Sequence, residues 1–162
     1  MRRGLIIATV MILMFSAPVH ASEVPEDIKA AAEEYGEEYG ICPELIMAIC
    51  YEESRFTPGI INRSGKNYGL MQINPNFNTA RMQRLGITKD NLLTVRGNIL
   101  VGADLLSELF QESEDVVDVL LQYGGFSRQK VEAYHRDGTI PAYITRLLER
   151  SRNYEEQNEK GD

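Results

Sequence analysis

The chain has 162 residues, with 17 basic side chains against 24 acidic ones and a formal charge of −7 at neutral pH. An acidic surface repels phosphate backbones, which argues against nucleic acid as a partner. The length suits one compact domain.

Residues 1–21 read as a cleaved secretory signal. Arg2 and Arg3 give a charged start, residues 4–15 are apolar, and Val19 and Ala21 are the small residues a signal peptidase inspects. A membrane-spanning helix needs roughly 20 apolar residues, and Pro18 interrupts this run too soon. No Cys follows it, so no lipid anchor is expected there. Cleavage before Ser22 removes 21 of 162 residues and leaves 141, a secreted domain without a stable membrane span. Two of the 17 basic residues and none of the 24 acidic ones leave with it, so the charge becomes −9. The domain is expected over 22–154, with a polar, frayed tail over 155–162.

The rest of the chain reads as an all-α fold of short helices. Pro25 opens the first, with Ile28, Ala31, Ala32, Tyr35 and Tyr39 inward and Gly40 as its stop. Pro43 opens the second, which ends near Glu53. Residues 54–68 are rich in Pro, Gly, Asn and Ser, and form a long loop with room for a small hairpin. A short helix is expected over 69–73 and another over 79–85, ended by Gly86. Val95, Ile99, Gly102, Leu106, Leu109 and Phe110 keep helical spacing over 95–111. Ser113 is the expected cap of a helix that Gly124 and Gly125 end, and Ser127 caps the next, up to Gly138. Pro141 starts the last, with Ile144, Leu147 and Leu148 inward.

Cys42 and Cys50 on one helix stand roughly 12 Å apart, beyond the roughly 7 Å that a disulfide spans. They are expected to be small buried apolar side chains. Glu53 is the conspicuous residue of the second helix. At about 100° per residue it falls near the centre of the stripe formed by Leu45, Ile46, Ile49 and Cys50, while Glu52 points about 100° away. A carboxyl on a buried face is desolvated, which raises its pKa into the range of a general acid. The wheel alone leaves a second reading open, in which the last turn frays and Glu53 stands in water.

The motifs around Glu53 narrow this. Glu53-Ser54-Arg55-Phe56-Thr57-Pro58 is followed by Gly69-Leu70-Met71-Gln72-Ile73-Asn74-Pro75, then by Asn98-Ile99-Leu100-Val101-Gly102, Tyr123 and Tyr143. In order and spacing these resemble the soluble lytic transglycosylase family of the lysozyme-like superfamily, over nearly the whole mature chain. The resemblance implies that Glu53 is a sole catalytic acid/base acting on peptidoglycan glycan strands. It implies that Ser54 touches the substrate's N-acetyl group and that Gly69, Leu70, Met71 and Gln72 line the groove, Met71 beneath the sugar and Gln72 contacting it. Tyr123 would hydrogen-bond Glu53, and Tyr143 matches the family's final tyrosine. One departure stands out: the family's Ala-Tyr-Asn motif reads Gln122-Tyr123-Gly124 here, so its amide is missing.

Ordinary glycosidases use two carboxyls, roughly 5 to 9.5 Å apart. With one, the muramyl N-acetyl oxygen supports the developing positive charge, and the muramyl 6-hydroxyl closes a 1,6-anhydro ring without water. Two alternatives stay open. A lysozyme-type hydrolase would need a second acid, which the 54–68 loop lacks and which Asp90 or Asp104 would have to supply. A non-catalytic peptidoglycan-binding descendant would keep only the groove. The chain has no Trp, so a sugar platform has to come from Tyr or Phe. One histidine, His135, remains after cleavage, too few for a zinc set, and no cofactor is expected. Targeting to the wall, outside the cytoplasm, is expected to depend on a partner.

Overall fold

Proline and glycine set the limits of the first helices. The computed structural model describes residues 23–161, so the expected leader at 1–21 lies outside the described residues. Helix α1 (Glu26–Tyr39) follows Pro25 and ends at Gly40, whose left-handed backbone (φ 69°) closes a bond back to Gly36 O. Helix α2 (Pro43–Ser54) has proline in its first turn and ends at Arg55, a non-glycine residue in the left-handed region (φ 52°). Then come α3 (Thr79–Leu85), a 3-10 turn (Asn91–Leu93), α4 (Val95–Glu112), α5 (Val116–Tyr123), α6 (Arg128–Asp137) and α7 (Ala142–Gly161). Among the described residues there are isolated antiparallel bridges, Ile61 to Tyr68 and Tyr68 to Ile73, in place of strands. No helix among them is long and apolar enough to cross a membrane.

Helix α2 is the axis of the molecule. Leu45, Ile46, Met47, Ala48, Ile49 and Cys50 are all buried, so its middle is enclosed on every side and does not present a single stripe. Helices α1, α4 and α7 pack around it. Glu53 at its last turn is thereby carried on an enclosed helix.

Four expectations are corrected. Residues 69–73 form a tight turn and no helix, because Gly69 (φ 71°) and Gln72 (φ 49°) both take left-handed backbone. Helix α5 is capped by Asp115, whose carboxylate accepts from Val117 N at 2.8 Å and Asp118 N at 3.4 Å, while Ser113 closes α4. The expected tail continues α7 to Gly161, anchored by buried Tyr154 and by Asn158 Nδ2 donating to Glu44 Oε1 at 2.7 Å. Cys42 is exposed and donates its thiol to Glu44 Oε2 at 3.0 Å, whereas Cys50 is buried as expected.

Candidate active site

At the end of α2 the Glu53 carboxyl meets the hydroxyl of Tyr143, which donates to Oε1 from the first turn of α7. Burial pushes this carboxyl above its ordinary value, the Tyr143 hydroxyl pulls part of the way back, and negative Glu52 adds a further upward push. The hydroxyl favours the ionised form and burial the neutral one, so both protonation states have support. That suits a group that gives a proton and takes one back.

Its neighbour has a different surrounding. The Glu52 side chain is 3% exposed, with Arg150 Nε at 3.0 Å and outer arms from Arg55 (3.5 Å) and Arg146 (3.7 Å). The Arg150 guanidinium also lies 3.6 Å above the Tyr51 ring. Three arginines hold Glu52 as an ion-pair centre joining α2 to α7.

The Gly69-Leu70-Met71-Gln72 turn is held by one buried amide. Asn98, fully buried on α4, accepts from Met71 N at 2.7 Å and donates to Tyr68 O at 2.8 Å and Leu92 O at 2.7 Å. Gly69 is required here on two counts. Its φ is positive, and a Cβ would stand 2.2 Å from Leu92 O and 2.3 Å from Asn98 Nδ2. Gln72 closes the turn, its Nε2 donating to Gly69 O at 2.9 Å. Met71 tucks its sulfur against Gly102, where a Cβ would lie 2.2 Å from Sδ. The bare helix face at Gly102 thus seats a side chain from the turn.

The bond to Glu53 that the resemblance implies for Tyr123 is made by another tyrosine. Tyr123 donates to Met71 O at 2.6 Å and so braces the turn, while Tyr143 is the donor to Glu53. Burial, with the Glu53 charge next, pushes the Tyr123 hydroxyl well above its usual value and keeps it a donor. Ser54 also departs from expectation. It is buried, donating to Cys50 O at 2.8 Å and accepting from Thr57 N at 3.3 Å. Its hydroxyl finishes the helix and is not presented to a ligand. Leu70 is likewise fully buried core.

A groove of about 460 Å³ opens in front of Glu53, within the usual range for small-ligand sites. Glu53, Met71, Gln72 and Tyr123 line it, with Gln122 and Gly124 beside them; Ser54, Gly69, Leu70 and Tyr143 do not line it. Its far wall is made by residues that sequence patterns did not single out: Phe77, Asn78, Arg81 and Glu108. The two acids weighed as second carboxyls are elsewhere engaged or exposed. Asp104 is buried between Arg81 Nε (2.7 Å) and Arg84 Nη2 (2.7 Å), which hold it below the ordinary range despite burial, and Asp90 is exposed outside the groove.

Gly124, where the family's asparagine is missing, lies beneath the Phe126 ring. A Cβ at Gly124 would be 2.7 Å from Phe126 Cε2. The same ring packs on Tyr143, centroids 6.0 Å apart. An aromatic contact therefore takes up the space at this position and steadies the tyrosine that holds the acid.

Protein IpgF of Shigella sonnei is 36% identical over 62 residues, which cover 36% of this chain and 40% of that protein. IpgF of Shigella flexneri matches to the same extent, so the match spans well under half the length of these relatives. An inactive mutant of the lytic transglycosylase Slt from Pseudomonas aeruginosa shares the fold, with a TM-score of 0.60 at 22% identity over 79% of this chain and 21% of the other. The model of the transglycosylase SLT domain matches residues 30–141 of the 162, and the chain belongs to that family.

Proposed function

We propose that the protein is a peptidoglycan lytic transglycosylase that cleaves the β-1,4 bond between N-acetylmuramic acid and N-acetylglucosamine, with Glu53 as its single acid/base. The observation that carries this reading is the pairing of a part-buried, Tyr143-held Glu53 at a groove with a Glu52 locked among three arginines. Membership of the SLT family supports the same activity.

In the first step protonated Glu53 gives its proton to the bridging oxygen, which leaves as the 4-hydroxyl of N-acetylglucosamine. The muramyl N-acetyl oxygen supports the positive charge at the anomeric carbon, a role otherwise filled by a second carboxylate. In the second step ionised Glu53 accepts the proton of the muramyl 6-hydroxyl while that oxygen bonds to the anomeric carbon. The products are a 1,6-anhydromuramyl end and a free N-acetylglucosamine end, and the enzyme regains its proton. Met71, Gln72 and Tyr123 would shape the groove floor beneath the reacting sugar. The substrate lies outside the cytoplasm, which accords with a secretory leader at residues 1–21.

Hydrolysis is the second reading, because Glu108 contributes a carboxylate to the same groove. Arg81 Nη2 is bonded to its Oε2, and such a pair is poorly placed to activate water. Borohydride treatment of the released fragments separates the two. A transglycosylase leaves muramyl ends that borohydride does not reduce, and a fully reducible product would replace this reading with hydrolysis.

A further inference from the structure

Tyr143 is the second residue of α7 and holds Glu53 from a helix end, where the backbone has the fewest bonds of its own. An end turn frays readily, so the aim of its hydroxyl has to be set from deeper in the helix. Ile144 and Leu147 are fully buried and draw α7 onto α2. Apolar burial is non-directional, and by itself fixes little of the rotation of one helix against another. Phe126 packs on Tyr143 from the side, centroids 6.0 Å apart, and does not fix its position along α7.

Arg150 supplies the direction. It follows Tyr143 by two turns of α7, about 10.5 Å, so both project from one face of the helix. Its Nε donates to Glu52 Oε1 at 3.0 Å, and its guanidinium lies 3.6 Å above the Tyr51 ring. A planar group held by a charge-assisted bond on its edge and a ring on its face is fixed in orientation. The other two arginines at Glu52 are set more loosely. Arg55 and Arg146 stand at 3.5 and 3.7 Å with side chains 59% and 56% exposed, against 14% for Arg150. Exposed pairs at such distances are weak and screened. Tyr51, Glu52 and Glu53 are consecutive, so the grip of Arg150 on the first two fixes α7 relative to the third.

We infer that Arg150 is a positioning residue for the acid: clamped between Glu52 and Tyr51, it sets the register of α7 that brings the Tyr143 hydroxyl onto Glu53. The clamp rests on the Glu53 reading for its reaction. Arg150 does not line the groove, and it acts through Tyr143 alone.

The test is a double-mutant cycle on sacculus digestion by the wild type, Arg150→Met, Tyr143→Phe and the pair, with kcat, KM and melting temperature for each. Arg150→Met nearly keeps the length of the side chain and removes both grips. It should lower kcat about tenfold in the wild-type background, as loss of the Tyr143 bond does, with KM within about twofold. In the Tyr143→Phe background, where there is no hydroxyl to aim, it should lower kcat less than about twofold. The melting temperature should fall similarly in both backgrounds, which separates aim from stability. Equal kcat losses in the two backgrounds would overturn the clamp, because a purely structural arginine does not need the Tyr143 hydroxyl. Where Arg150→Met does not fold, Arg150→Lys takes its place in the cycle, keeping the charge without the planar fork, and the same non-additivity is expected. Counting kcat as total fragment release keeps the two readings apart: wild-type fragments with only reducible ends would count against the anhydro product, and additive losses in the cycle against the clamp.

Discussion

Tyr143 and Glu53 stand 90 residues apart in sequence, and the hydroxyl of one donates to the carboxylate of the other. The bond ties the first turn of α7 to the last turn of α2. It partly offsets the upward push that burial gives the Glu53 carboxyl. Removing it should move the acid's proton equilibrium as well as its aim.

Tyr143→Phe removes a donor to the charged form, so the Glu53 carboxyl should rise further. Activity against pH should keep its shape while its alkaline limb moves to higher pH. The rate should fall roughly tenfold or more, as expected for a lost charge-assisted hydrogen bond. A Tyr143→Phe enzyme with an unmoved alkaline limb would show that the bond does not tune the acid.

The raised carboxyl also bears on stability. Folded Glu53 holds its proton to higher pH than unfolded Glu53, whose ordinary value is 4.5. As pH rises from there through the folded value, the native state binds more protons than the unfolded one, and stability falls. Glu53→Gln mimics the protonated form, so it should melt above the wild type at neutral pH. The gap should close below pH 4.5, where both forms of the wild type are protonated. Differential scanning calorimetry across that range measures it.

The turn that lines the groove depends on Asn98 and Gly69. Asn98→Ala takes their side-chain partner from Met71 N and Leu92 O and one of two donors from Tyr68 O, and should cost about 2–4 kcal/mol in urea unfolding. Gly69→Ala forces a Cβ into Leu92 O and Asn98, and should lose activity even where the protein still folds. A Gly69→Ala enzyme of normal rate would show that the turn tolerates displacement.

Two other carboxylates should behave unlike Glu53. Glu52→Gln breaks a buried ion centre and should cost about 3 kcal/mol of stability, while enzyme that remains folded keeps the anhydro product. Glu108→Gln should change the rate less than about threefold, since the loss is at most one partly exposed pair with Arg81. A shift of product from reducible to anhydro ends in Glu108→Gln would instead mark Glu108 as a water-activating base.

Gly124→Asn restores the family's amide but drives a Cβ against Phe126. It should lower the melting temperature and activity together by displacing the ring from Tyr143. Combined with Phe126→Ala, which opens the space, it should recover part of the melting temperature and none of the activity, since the ring no longer steadies Tyr143. Double-mutant comparison of melting temperatures reads the coupling.

Helix ends were legible because backbone chemistry announces them: Gly40, Gly86 and Gly138 take the left-handed conformation that stops a helix. Glu53 stood out in the sequence from its place beside apolar neighbours one and two turns back. What pattern did not reveal depends on packing over long sequence distance. Which tyrosine reaches Glu53 is decided by how α5 and α7 dock. Ser54 follows Glu53 directly, yet the helix end turns its hydroxyl inward to Cys50 O. Asn98 carried a signal that spacing alone supplies, an amide one turn after Val95 on an apolar helix face. Phe77, Arg81 and Glu108 carried none, since each looks like an ordinary surface residue until α3 and α4 come together.

The most direct measurement is fragment release from purified peptidoglycan by the wild type and by Glu53→Gln, read by mass spectrometry. The lone-acid account predicts 1,6-anhydromuramyl fragments from the wild type, and a fall of at least about a hundredfold in the variant, as for a lost acid/base. A Glu53→Gln protein that digests the wall at the wild-type rate would contradict it.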